Sequence, residues 1–133
     1  MKIPCEIVVW YVLPTIRKEI ARELVNGHGM TQAQVARKFG VTDAAISQYL
    51  KKKRGENPII ENSEGYDEFM EEIKVSADKL ANGRSDFSSE MCRLCCIIKS
   101  KGILCNIYQE YTGYPAPNCT AADEEIHRRM LEE

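Results

Sequence analysis

Two short amphipathic patterns separated by one glycine occupy residues 31 to 54, TQAQVARKFGVTDAAISQYLKKKR, and they restrict the fold more than any other stretch of the chain. Thr31 is placed to cap a helix that carries Val35, Ala36 and Phe39. Gly40 breaks it, and Thr42 is placed to cap a second helix carrying Ala45, Ile46, Tyr49 and Leu50. Helices that cross steeply need a small residue where they touch and a residue that accepts positive φ between them, and Ala36 and Gly40 supply these. Val35, Phe39, Val41, Ile46 and Tyr49 then face inward, leaving Thr42, Asp43, Ala44, Ser47, Gln48 and Lys51 pointing outward. The pattern is that of a helix-turn-helix. The outward residues of the second helix suit the edges of bases in a major groove, so double-stranded DNA is the expected partner. Lys51, Lys52, Lys53 and Arg54 follow where the chain would leave the groove, and they are assigned to phosphate contact. Packed helical hairpins also produce such patterns, and a basic run is commonly just a solvated face. The coincidence of apolar positions, glycine and basic run favours DNA.

Charge is unevenly divided. The formal net charge is −2, but residues 1–57 carry ten Lys and Arg against five Asp and Glu, and residues 58–133 carry eight against fifteen. Such asymmetry suggests one half that faces phosphate and another that faces away from it. Gly55 to Pro58, GENP, lies at the crossover and reads as a linker between a DNA-binding domain, 1–57, and a second domain, 58–133. With 44% hydrophobic and 29% charged residues the composition is that of an ordinary globular protein. The longest apolar run, IVVWYVLP, is too short to span a bilayer and lacks the flanks of a signal peptide, so a cytoplasmic protein without membrane contact is expected.

Helical periodicity dominates elsewhere, and an all-α fold is expected. A helix from about Cys5 to Val12 is followed by a restart at Leu13-Pro14, with Ile16, Ile20 and Leu24 at four-residue spacing and Gly27 to Gly29 as the stop. Tyr66, Phe69, Met70, Ile73, Ala77 and Leu80 form an apolar stripe on an acidic helix, available either to the core or to a dimer interface. Gly83 closes that helix, Ser88 or Ser89 is the expected cap of the next, and Lys99 to Gly102 end it. A short helix around Ile103 to Glu110, the loop TGYPAPN and a final helix capped by Thr120 with Asp123 complete the chain.

Five of the six cysteines, Cys92, Cys95, Cys96, Cys105 and Cys119, crowd into the second half. In a reducing compartment clustered cysteines are more often metal ligands or redox groups than disulfides. Cys92 and Cys95 share a helix face, Gly102 turns the chain so that Cys105 can return, and Cys119 precedes a helix N-terminus. Cys92, Cys95, Cys105 and Cys119 are the candidate ligands. A single CxxC followed by isolated cysteines fits an iron-sulfur cluster, a 4Fe-4S cubane foremost, better than zinc, which typically takes two CxxC pairs. Cys96 reads as a small buried hydrophobe, or else as a substitute ligand. Cys5 reads as packing, His28 and His127 as solvated, and the pairs Glu71 with Glu72 and Glu124 with Glu125 as solvated helix faces. No phosphate loop, nucleophile elbow or zinc-protease signature is present, so enzymatic activity is not expected.

The segments PCEIVVWYVLPTIRKEIARELV and TQAQVARKFGVTDAAISQYLKKKRG, within residues 3 to 55, resemble a family of predicted archaeal transcriptional regulators. The same type of DNA-binding domain occurs in archaeal thiamine regulators, fused there to a thiamine-phosphate synthase domain. The resemblance implies sequence-specific DNA binding, with the second helix of the pair as reader. This chain lacks the synthase-like domain, so thiamine sensing does not carry over, and its cysteine-rich tail is similar to the short members of that family. Together these readings give a homodimeric regulator responsive through an iron-sulfur cluster, two-fold symmetry placing the readers about 34 to 36 Å apart. The alternatives are a DNA-binding regulator with a structural zinc, and a small electron carrier or cysteine-dependent enzyme that uses the helix pair only as scaffold.

Overall fold

The computed structural model describes residues 4–51 and 55–115, and all the regular structure in them is helical, with no strand. The order is α1 (Pro4–Ile7), a π segment (Val8–Val12), α2 (Leu13–Arg22), a second π segment (Glu23–Gly27), α3 (Gln32–Phe39), α4 (Asp43–Leu50), α5 (Pro58–Glu61), α6 (Tyr66–Ala81), α7 (Phe87–Ser100) and α8 (Ile103–Thr112). The expected final helix from Thr120 lies outside the described residues.

The restart expected at Leu13-Pro14 is not a break. Ile7, Val12 and Leu13 all hold right-handed helical dihedrals, and the Leu13 amide donates to the Val8 carbonyl, five residues back. Proline has no N–H and crowds the carbonyl four residues earlier, which ordinarily stops a helix. The wider π segment absorbs that misfit just before Pro14, so the backbone remains helical through to Gly27.

α2 is the hub. Ile16, Ile20, Ala21 and Leu24 are buried on it and on the following π segment, and α2 packs on α4, α6 and α7. The stripe on α6, Phe69, Ile73, Ala77 and Leu80, is buried and joins Leu94 and Ile98 of α7 and Ile103, Leu104 and Ile107 of α8 in the same apolar core as Val35 and Ile46. That stripe therefore serves the core of the single chain. GENP, expected as a linker, is packed down. The Thr15 hydroxyl donates to the Gly55 carbonyl at 2.9 Å, and a Cβ at Gly55 would lie 2.5 Å from the Pro14 carbonyl oxygen. Asn57 is buried and its side-chain oxygen accepts from the amides of Ile59 and Ile60, capping α5.

Two buried polar clusters lock these helices. Lys18, 1% exposed, lies 3.1 Å from Glu19 and donates to Glu61 at 3.3 Å, with Glu56 at 3.9 Å. On the other side Glu90 of α7, 3% exposed, accepts from Ser76 and Ser85 at 2.7 Å each and from Arg93 at 3.2 Å. Arg93 also pairs with the Glu72 carboxylate and donates to the Glu72 carbonyl at 3.0 Å. Glu72 is thus not merely part of a solvated face. It ties α6 to α7.

Candidate nucleic-acid interface

Each helix of the pair is built by local chemistry. Thr31 is extended, its hydroxyl accepts from the Gln34 amide at 3.2 Å, and the Gln34 side chain accepts from the Thr31 amide at 2.9 Å, completing a capping box. α3 ends at Gly40, whose φ of 68° puts it in the left-handed region, and the Val41 amide returns to the Ala36 carbonyl at 3.0 Å. Thr42 then caps α4, its hydroxyl accepting from the Ala45 amide at 3.2 Å. Val35, Ala36, Phe39, Ile46 and Tyr49 are buried, as the spacing predicts, while Val41 is half-buried.

On the outward side Thr42, Asp43 and Ala44 are exposed at the first turn of α4, and Lys51 is exposed at its C-terminal end. Ser47 and Gln48 are half-buried, and the Gln48 side-chain oxygen is shielded from solvent without a hydrogen-bond partner among the described residues. The open edge of α4 is therefore its N-terminal turn, where short polar side chains suit base edges. Lys52, Lys53 and Arg54 lie outside the described residues. Arg37 and Lys38, exposed in the last turn of α3, add positive charge outside the KKKR run. Both residues stand on the exposed side of the α3 amphipathic pattern, the signal by which the sequence marks them.

The cysteines are carried by two packed helices. Cys92 is exposed, Cys95 half-buried and Cys96 buried on α7, and Cys105 is half-buried on α8. Burial pushes the Cys96 thiol above its ordinary pKa, with Lys99 acting downward and Cys92 upward. Its position is that of a small core hydrophobe. No three His, Cys, Asp or Glu side chains converge as a metal-holding group among the described residues. Cys119 lies outside them, as do Glu124, Glu125 and His127.

Residues 21–55 match the family model described as Helix-turn-helix, a segment reaching from the end of α2 across α3 and α4. That match covers about a quarter of the chain and leaves the cysteine-bearing half unassigned. No curated protein and no solved structure gives a significant match. Among the described residues no helix is long and apolar enough to cross a membrane. The capped pair, its exposed first turn and the match over the same residues together support a helix-turn-helix, DNA-binding transcriptional regulator.

Proposed function

We propose that this chain is a sequence-specific, homodimeric transcription regulator in which Cys92, Cys95, Cys105 and Cys119 hold an iron-sulfur cluster that sets its DNA affinity. The observation that carries the DNA-binding part is the capped α4 presenting Thr42, Asp43 and Ala44 beside a capped α3. Thr42 and Asp43 read base edges, Ser47 and Gln48 contribute where the groove deepens, and Lys51 to Arg54 neutralise phosphates. One such module covers few base pairs, and a two-fold dimer doubles the site. The cluster part draws on the crowding of thiols in α7, α8 and the segment after them, with Cys119 needed to complete the set. When bound, a cluster supplies one-electron redox chemistry and sensitivity to oxygen.

Selection of duplexes from a random-sequence pool, followed by titration at several salt concentrations, tests the reader. A steep fall of affinity with salt is expected, reduced in slope when Lys52 is replaced by Ala, together with relaxed base preference in Gln48→Ala. Sedimentation of the selected complex gives the stoichiometry, two chains per duplex being the expected result. Iron and sulfide analysis after anaerobic purification tests the cluster. A colourless protein holding zinc would make the metal structural, its removal lowering the melting temperature without a redox-dependent change in DNA binding.

A further inference from the structure

Phe39 and Phe87 stack face to face, with ring centroids 4.1 Å apart and planes 19° apart. Phe39, 6% exposed, is the last residue of α3 and stands immediately before Gly40, the turn of the helix pair. Phe87 is the first residue of α7, and its position is set by the Asp86 cap, whose carboxylate accepts from the Ser89 amide at 2.8 Å and the Ser89 hydroxyl at 2.9 Å. The partner helix α4 packs on α2 and on α3. α3 itself packs on α4 and on the second π segment, so the Phe39–Phe87 stack is an added contact that ties the end of α3 to the first turn of the cysteine-bearing helix.

We infer that Phe87 is a positioning residue through which α7 sets α3, so that DNA engagement and the state of α7 are energetically linked. A displacement of α7 reaches α3 at the turn, where a small rotation changes the angle between the two helices. Packed aromatic rings transmit such a shift because the interior is close-packed and does not deform continuously. Linkage is reciprocal: an event at Cys92 or Cys95 that favours one placement of α7 changes DNA affinity by the same factor by which bound DNA changes that event. The inference rests on the DNA-binding reading and is independent of which metal, if any, the cysteines hold.

The test uses the full chain under reducing conditions and a duplex selected from a random pool. The measured quantity is the rate at which iodoacetamide alkylates Cys96, mapped by peptide mass, with and without duplex. Cys96 is buried, so reaction depends on local opening of α7. In the wild type, bound duplex is expected to slow alkylation about fivefold or more, in the usual range of coupling between sites. Phe87→Leu keeps apolar bulk but loses the ring, and it is expected to bind duplex with an alkylation rate that no longer responds. Phe87→Tyr, which keeps the stack, is expected to restore the response. Should Phe87→Leu fail to fold by circular dichroism, Phe39→Leu removes the stack from the opposite side. A wild-type chain that binds duplex with unchanged alkylation, or a folded leucine variant with the full response, overturns the inference. A wild-type chain that binds no duplex from the pool overturns the DNA-binding reading itself.

Discussion

Lys18 and Glu90 show what single residues contribute when they are charged and buried. Lys18 neutralises Glu19, itself almost fully buried, and draws Glu61 and Glu56 onto α2. Lys18→Met should lower stability by about 3 kcal/mol, because the buried carboxylate of Glu19 keeps its desolvation cost and loses its nearest cation. Urea denaturation of the two proteins measures the difference. For Glu90, burial pushes the carboxyl pKa up, but hydrogen bonds from Ser85, Ser76 and Arg93 outweigh it and hold the group below its ordinary value. A depressed carboxyl pKa contributes stability that is complete above the unfolded value and is lost as pH falls through the folded one. The melting temperature of the wild type should therefore fall more steeply than that of Glu90→Gln as pH drops below about 4.5, the ordinary value of the group. At neutral pH the glutamine variant should be less stable by about 2 kcal/mol, through loss of a charge-assisted network.

Among the elements, α4 depends most on one residue. Its Thr42 cap satisfies an amide that would otherwise point unpaired from the exposed first turn. Thr42→Ala should cost about 1 kcal/mol of stability and also weaken duplex binding, whereas Thr42→Ser should keep both. Thermal melts and anisotropy titrations read the two effects side by side. The cap of α7 is a clear difference from expectation. Residue type points to serine at 88 or 89, yet Asp86 takes the role and Ser89 donates to it twice. Both residue types cap helices well, and the choice depends on where Phe87 enters the core, which residue type does not encode.

For the whole molecule, one apolar core runs from the helix pair through α2 into α6, α7 and α8. Unfolding should consequently be a single cooperative transition, with far-ultraviolet circular dichroism and tyrosine absorbance coincident in urea. A fragment of residues 1–57 should be largely unfolded or much less stable than the chain, because α2 would expose the surface it buries against α6 and α7. Two separated transitions by these probes would contradict this. The same continuity brings the first turn of α7 against the end of α3 at the Phe39–Phe87 contact.

Residue order alone specified the helix pair, its Thr31 and Thr42 caps, the Gly40 turn, the buried faces of α3 and α4 and the apolar stripe of α6. All of these follow from contacts between neighbours in the chain or from helical period, so a linear reading reaches them. The tertiary structure alone decided that the helix continues through Pro14, that GENP is clamped against α2, that Lys18 and Glu90 are buried with partners, and that Phe87 leans on Phe39. Except for the π segment, which adjoins Pro14, these depend at least in part on a residue supplied by a distant segment. A buried charge or a stacked ring is stable only where packing brings that partner, and residue type along the chain does not say which one arrives.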